Sequence, residues 1–317
     1  MVSYTLGPES YTPDWHALRA FNPKRKPCVV FGASEAAAVC GLGKYQTPLH
    51  VYLLKRGEIP PIEETDAMRL GKLLEPIVLG EYERRTNYIC DPAPQMLIHR
   101  QHSHIGCTLD SWVVERGPGK NKATWVVDAK TTSFRRAEEF GEEFTDEIPD
   151  DYNMQLQQQM FVAGCSKAHL AVMLDGRTLK VYEVEANATL QELIVECTTE
   201  LMERILVGDP PEPTFQHERT GELLKALYGV DPDSEVILSD DAAAAWYGRE
   251  TLKEQIKDLE GQVEECTNIL LHRIGNAASA IMPDGSKLAH KLISVKASTR
   301  EVKAYTYHKL TKPKVKE

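Results

Sequence analysis

Residues 106–132 read GCTLDSWVVERGPGKNKATWVVDAKTT, and this stretch decides how the chain folds. β-Branched and aromatic residues flank a Gly-Pro-Gly-Lys-Asn segment, which predicts two β-strands joined by a turn. Asp110 lies in the first predicted strand and Asp128 in the second, where Val126 and Val127 indicate a buried environment. A buried carboxylate has to be paired with a cation or bound to a metal.

Lys130 follows Asp128 by two residues. Side chains of a strand alternate between its faces, so both should point to one side, and hairpin pairing should bring Asp110 alongside. Two carboxylates and a lysine on adjacent strands can hydrolyse phosphodiesters, because carboxylates hold Mg²⁺ or Mn²⁺ while the lysine positions the attacking water. The D-x-K pattern alone is weak, since a solvated ion pair at a strand end has the same letters.

The composition is that of a soluble globular protein, with 26% charged and 42% hydrophobic residues among 317. This length predicts one large domain, or one large and one small domain. No apolar run could span a bilayer and no signal peptide is evident, so we expect a cytoplasmic protein without membrane association. Seven cysteines without a C-x-x-C pair favour reduced, mostly buried thiols and no iron–sulfur cluster.

The net charge of −10 ordinarily speaks against a nucleic-acid partner. Basic residues nevertheless cluster at 24–26, 55–56, 135–136 and in the tail at 309–316. Because only a groove has to be positive, the global charge does not exclude a DNA enzyme.

Elements predicted around the central hairpin alternate between helices and strands, which indicates a mixed central sheet flanked by helices. They are short helices at 14–19, 33–38 and 47–54, a long helix at 63–87, a strand at 96–99, a helix at 152–164, a hairpin at 167–185 and a helix at 189–207. A proline cluster at 209–213 marks the strongest boundary, which predicts domains at 1–216 and 217–317.

The helix at 63–87 has one apolar face, so we expect it to pack on the sheet. This face consists of Met68, Leu70, Leu73, Leu74, Ile77, Val78 and Tyr82. Glu75 lies among these apolar residues. A mid-helix glutamate is seldom functional, but one beside a metal site is a stronger candidate.

The helix at 152–164 carries four glutamines. Gln155 and Gln159 share a face with Tyr152, whereas Gln157 and Gln158 point elsewhere. A polar helix face explains this pattern as well as a functional one does.

Beyond the proline cluster, residues 240–278 predict one long helix or a tight helical pair with a heptad seam. The seam consists of Leu252, Ile256, Leu259, Val263, Cys266 and Leu270. About three heptads favour an intramolecular helical arm over an oligomer contact. Residues 283–286 predict a turn, and residues 291–297 with 301–307 predict a small terminal β-hairpin.

Six successive blocks resemble motifs of the lambda-type exonucleases, also called YqaJ-like viral recombinases, of the PD-(D/E)XK nuclease superfamily. The blocks are DWHALR, GASEAAAVCG, LGKLLEP, CTLDSWV, VVDAKTT and PDDYNMQLQQQM, and the resemblance covers about residues 14–207. Each block is weak alone, but their common order makes the resemblance specific. It implies an α/β fold with a restriction-endonuclease-like core.

The resemblance also implies a processive Mg²⁺-dependent exonuclease, with Mn²⁺ as substitute, that degrades one strand of linear duplex DNA from the 5′ end. The product would carry a 3′ overhang for recombination. Ring-shaped trimers, a single-strand annealing protein as partner, and a phage or prophage origin within a bacterial host's cytoplasm are further implications.

Site roles carried over from the resemblance fall on nine residues. The metal ligands would be Asp110, Asp128, the backbone carbonyl of Ala129 and Glu75. Lys130 would position the attacking water, and Gln155 would close the site with Tyr152 beside it. Arg19 and Ser34 would bind the 5′-phosphate.

Two substitutions and one insertion depart from the family pattern. Leu109 stands in place of proline, Asp128 stands in place of the commoner glutamate, and an insertion at 21–31 separates Arg19 from Ser34. The insertion bears on the 5′-phosphate assignment and hence on polarity. A structure-specific or nicking endonuclease of the same fold, and a non-catalytic DNA-binding recombination scaffold, are the alternative functions.

Overall fold

A computed structural model describes residues 3–117, 120–229 and 231–289, and the chain divides into two compact units. The first is Met1–Val230 and the second is Asp231–Glu317. The first unit runs beyond residue 216 because helix α7 (Thr220–Leu227) buries Leu223 in an apolar cluster of that unit.

A five-stranded sheet forms the centre of the first unit, in the order β2-β5-β6-β7-β8. Its strands are β2 (Ile89–Pro92), β5 (Ser111–Gly117), β6 (Lys120–Thr132), β7 (Lys167–Leu174) and β8 (Thr178–Glu185). β6 and β7 run parallel, and the other neighbours are antiparallel. The mixed sheet expected from the sequence is thereby confirmed, as is the hairpin at 167–185.

Helices cover both faces of this sheet. They are α4 (Asp66–Thr86) on one face and α5 (Asp150–Ala163) on the other. Alternation along β6 sends Val126 into a cluster with Leu156 of α5, and Val127 into a cluster with Val78 and Tyr82 of α4. Asp128 shares the parity of Val126, so it lies on the α5 face.

A smaller sheet and a helical layer complete the first unit. The sheet has the order β1-β3-β4 and consists of β1 (Tyr4–Glu9), β3 (Gln95–His99) and β4 (Gly106–Cys107). The helices are α1 (Pro13–Arg19), α2 (Ala36–Val39), α3 (Pro48–Arg56) and α6 (Ala188–Val207), with 3₁₀ turns at Ala33–Glu35 and Phe134–Glu139. Among the residues that the structure describes, no helix has the length and apolar character needed to cross a membrane.

The packing of α4 corrects the expectation of one continuous buried face. Val78 and Tyr82 are buried, but the earlier apolar positions are 46–60% exposed, namely Met68, Leu70, Leu73 and Ile77. A 21-residue helix is roughly 30 Å long. Gly71 already faces Thr131, next to the last residue of β6. Met68 and Leu70, which precede Gly71 on α4, therefore lie beyond that end of the strand.

The second unit contains one long helix, α8 (Asp240–Ile274), and not a helical pair. Its predicted seam is exposed, with Leu252 at 60% and Val263 at 66%. Strands β9 (Ser279–Ile281) and β10 (Lys287–Ala289) form a carboxyl-terminal hairpin around the predicted turn at 283–286. The strands predicted at 291–297 and 301–307 lie outside the described residues.

Gly106 is expected to tolerate no side chain. An added Cβ would lie 2.6 Å from Cε of Met96 and 2.9 Å from the carbonyl oxygen of Leu97, which is backbone and cannot turn away. Gly106→Ala should therefore lower the free energy of unfolding by about 1–3 kcal/mol in urea titrations. Gly80→Ala is the control, because its Cβ would meet nothing within 4 Å and alanine favours the helix. Equal stability of the two variants would contradict this prediction.

Candidate active site

The two aspartates of the central hairpin lie opposite each other. Ser111 pairs with Val127, so Asp110 stands across from Asp128. Asp110 immediately precedes β5 and was expected inside a strand. Its side chain makes the link to β6, since Oδ2 accepts a 2.7 Å hydrogen bond from the backbone N–H of Ala129.

A β-bulge sets this arrangement. Val113 pairs with Trp125 whereas Val114 pairs with Ala123, so Thr124 is an extra residue on β6. Without it, Asp110 would pair with Val127, whose side chain points to the other face of the sheet. The bulge therefore places both carboxylates on one face.

Lys130 lies on the same face as Asp128, as the i, i+2 spacing predicts. The ammonium contacts Oδ2 of Asp128 as a close ion pair. Asp128 is 1% exposed, and its Oδ2 has no hydrogen bond of acceptable geometry within the described chain. This buried oxygen therefore depends on a cation.

Two glutamines of α5 hold the other oxygen of Asp128. Nε2 of Gln155 donates to Oδ1 at 2.7 Å, and Nε2 of Gln159 donates to the same atom at 2.9 Å. Gln157 and Gln158 bind backbone carbonyls elsewhere, which confirms the predicted division of the helix faces. Gln159 had no assigned role, although its spacing of one turn from Gln155 gave the signal.

Glu75 lies within electrostatic reach of these groups. Burial, and then the charge of Asp128, raise the pKa of Glu75. The same two causes hold the pKa of Asp110 well above its ordinary range, and Glu75 adds to the effect. Burial alone would lower the pKa of Lys130, but Asp128 and Asp110 outweigh it and raise that pKa. The site thus concentrates negative charge that a cation would stabilise.

The donor chemistry fits a hard divalent cation. Carboxylates of Asp110 and Asp128 and the carbonyl of Ala129 are oxygen ligands of the kind Mg²⁺ and Mn²⁺ prefer. Among the described residues, no three carboxylate, imidazole or thiol groups converge closely enough to hold a metal together. The fit therefore rests on two carboxylates, a carbonyl and the cation-dependent oxygen of Asp128.

Tyr152 stands beside the site at the start of α5. Nζ of Lys130 lies 5.8 Å from its ring centroid, and Nη1 of Arg136 donates a 3.1 Å hydrogen bond to its hydroxyl. Arg136 also pairs with Glu139. Tyr152 thus connects the carboxylate site to Arg136.

Arg19 and Ser34 lie near one another, but Arg19 is already paired. Its Nη2 lies 3.0 Å from Glu35, and the guanidinium stacks on Trp15 with Cζ 4.3 Å from the ring centroid. An added Cβ at Gly32 would lie 3.0 Å from Nη2 of Arg19. Gly32 therefore lets the guanidinium approach the turn that contains Ser34, whose side chain is exposed.

The structure corrects the helix predicted at 33–38. The predicted Ala-rich helix is a 3₁₀ turn followed by the four-residue helix α2. The Gly32 N–H donates to Oε2 of Glu35 at 2.8 Å, so it is not available to an anion. Lys55 donates to the same oxygen at 2.9 Å. The sequence placed Lys55 in a basic cluster but gave no signal for its pairing with Glu35, because the two residues are distant in the chain.

The mixed sheet flanked by helices, with two carboxylates, a lysine and a glutamine pair on one face, is an α/β arrangement of the kind that the resemblance to PD-(D/E)XK nucleases implies. Residues 14–166 match the sequence profile of the YqaJ-like viral recombinase domain. These residues are similar to that family, which confirms the resemblance drawn from the motifs.

Individual relatives extend the comparison. The chain is 28% identical over 281 residues to the protein YqaJ of Bacillus subtilis (strain 168), covering 86% of this chain and 83% of that protein. An alkaline exonuclease (LHK-Exo) from Laribacter hongkongensis has 16% identity and a TM-score of 0.45, with 61% and 94% coverage of the two chains. A phage-related exonuclease from Haemophilus somnus 129PT has 12% identity and a TM-score of 0.43, with 57% and 96% coverage.

Proposed function

We propose that this protein is a metal-dependent exonuclease that degrades one strand of linear duplex DNA, from the 5′ end, and leaves 3′ overhangs for phage-type recombination. The observation that carries the proposal is the buried Asp128, with Lys130 on one oxygen, two glutamines on the other and Asp110 across the hairpin. The family match is consistent with a protein of recombination.

The roles of the chain's own residues follow from these contacts. Gln155 and Gln159 fix the rotation of the Asp128 carboxylate by binding Oδ1, which leaves Oδ2 directed toward Lys130. The ammonium of Lys130 orients the attacking water and offsets charge that develops on the phosphate. The Ala129 N–H fixes Asp110 in the same way.

A divalent cation held by Asp110, Asp128 and the carbonyl of Ala129, with Glu75 beside them, would polarise the scissile phosphate and activate water. Mg²⁺ is the proposed ion, with Mn²⁺ as substitute. Arg19, Ser34 and Tyr152 are proposed to contact the 5′-terminal strand. A ring-shaped trimer and a single-strand annealing partner belong to the same proposal.

Incubation with end-labelled linear duplex tests the proposal. Duplexes bearing or lacking a 5′-phosphate, and closed circular DNA, should be compared in Mg²⁺, in Mn²⁺ and in excess chelator. We expect release of 5′ nucleotides from linear DNA with either metal, none with chelator, and no cut in the circle. Cutting of closed circles would instead indicate an endonuclease, and metal-independent binding without hydrolysis would indicate a scaffold.

A further inference from the structure

Tyr11 lies beside the carboxylate site and precedes the residues that match the family profile. Its backbone has φ of 65°, in the left-handed region that residues with a Cβ seldom adopt. Even so, the side chain is 59% exposed, so burial of the ring does not explain the conformation. A strained residue at the edge of a site is a candidate for function.

The segment around Tyr11 is fixed to the short connection between β4 and β5, which contains Asp110. Oγ of Ser10 donates to Oγ1 of Thr108 at 3.4 Å, and Nε1 of Trp15 donates to the same atom at 3.3 Å. Thr108 precedes Asp110 by two residues. These side-chain hydrogen bonds therefore hold the segment that contains Tyr11 close to Asp110.

Further contacts fix the Tyr11 ring to α1 and α4. Nζ of Lys72 lies 4.7 Å from the Tyr11 ring centroid, and the ring packs on Trp15 at a centroid distance of 5.3 Å. Lys72 is three residues before Glu75, so the two share a face of α4. The ring thus contacts both Trp15 and Lys72, at the side of α4 that carries Glu75.

The hydroxyl is the end of Tyr11 that these contacts leave free. Although the residue is largely exposed, partial burial raises the pKa of Tyr11, and the charges of Glu75 and Asp110 raise it further because both carboxylates lie within electrostatic reach. In the part of the chain that the structure describes, Ser10 and Thr12 make the hydrogen bonds of this turn. A phenolic O–H is suited to donate to a phosphate oxygen, and the ammonium of Lys72 lies over the same ring.

We infer that Tyr11 is a substrate-binding residue whose hydroxyl donates a hydrogen bond to a phosphate oxygen of the DNA strand at the carboxylate site. The inference rests on the proposed function, in that DNA is taken as the substrate. Lys72, whose ammonium also pairs with Glu64 at 2.7 Å, adds positive charge near the same phosphate. The strained backbone of Tyr11 holds the hydroxyl in place before the strand arrives.

Tyr11→Phe tests the inference because it removes only the hydroxyl. Affinity for a blunt duplex should be measured in Ca²⁺, chosen to bind the site without supporting hydrolysis, and single-turnover cleavage in Mg²⁺. We expect roughly a tenfold to hundredfold loss, the range for a hydrogen bond to a charged group. Tyr228→Phe is the control, because Tyr228 is 67% exposed at the end of α7.

Methylphosphonate substitution separates a phosphate contact from a structural effect. Duplexes should carry one methylphosphonate at each of the first few linkages in turn. At one linkage, the methylphosphonate should lower the affinity of the wild type, whereas it should not lower the affinity of Tyr11→Phe further. Wild-type behaviour of Tyr11→Phe, or an equal loss by that variant at every linkage, overturns the inference.

The two proposals fail in different ways. If wild-type protein binds duplex DNA without hydrolysing it, the proposed nuclease activity is wrong. The affinity measurements alone then test the role of Tyr11. If wild-type protein hydrolyses DNA while Tyr11→Phe and Tyr228→Phe are equivalent, only the Tyr11 inference is wrong. If wild-type protein binds no DNA, both are overturned.

Discussion

Asp128→Asn is expected to lower DNA hydrolysis about a thousandfold or more, with the fold intact. The change keeps the shape of the side chain but removes the charge that a divalent cation and Lys130 require. Several kcal/mol of transition-state stabilisation depend on such a cation, and each 1.36 kcal/mol is a factor of about ten in rate. Single-turnover cleavage of end-labelled linear duplex in Mg²⁺ is the measurement.

The control for this variant is Asp91→Asn, which changes an exposed aspartate of β2 in the same sheet. It should cleave at the wild-type rate. Circular dichroism and thermal unfolding should show that Asp128→Asn is folded, since loss of one of two neighbouring carboxylates relieves repulsion as well as removing an ion pair. Undiminished cleavage by folded Asp128→Asn would remove the carboxylate site from the mechanism.

Glu35→Gln is expected to cost about 3 kcal/mol of unfolding free energy, a loss that urea titration at pH 7 would measure. Glu35 lies between Arg19 at 3.0 Å and Lys55 at 2.9 Å, and the side chain of Lys55 is only 5% exposed. Removing one partner of a buried pair leaves the other charge uncompensated, typically at 3–5 kcal/mol. Burial, only partly offset by Glu35, already lowers the pKa of Lys55 to about 8.

Two further variants make the Glu35 prediction specific. Glu200→Gln breaks an exposed i, i+4 pair with Arg204 on α6 and should cost less than about 1 kcal/mol. Adding Lys55→Met to Glu35→Gln should recover part of the loss, because the unpaired ammonium is then gone. A loss equal to that of Glu200→Gln would show that the buried cluster contributes little.

The Glu35 contribution should also depend on pH. Burial alone would raise the pKa of Glu35, but Arg19 and Lys55 outweigh it and lower the pKa to about 2, from an ordinary 4.5. A carboxylate with a depressed folded pKa stabilises fully above its unfolded pKa and loses that effect as the pH falls. The stability difference between wild type and Glu35→Gln should therefore shrink from pH 4.5 toward pH 2. A constant difference would contradict the assignment.

Local patterns in the sequence predicted much of the fold and of the candidate site. The hairpins, the helices at 152–164 and 189–207 and the shared face of Gln155 and Gln159 follow from periodicity that a few neighbouring residues establish. The packing of α4 did not follow, because its apolar face does not reveal where the sheet ends. The Arg19–Glu35–Lys55 cluster did not follow either, since its members come from separate elements.

The sequence by itself determined that Asp128 and Lys130 share one face, because strand side chains repeat every two residues. Only the tertiary structure decided that Asp110 joins them. Pairing outward from the turn without the bulge at Thr124 would set Asp110 opposite Val127, on the wrong face. A one-residue change of register reverses every side chain beyond it, and that register depends on packing across the sheet and not on the order of residues within either strand.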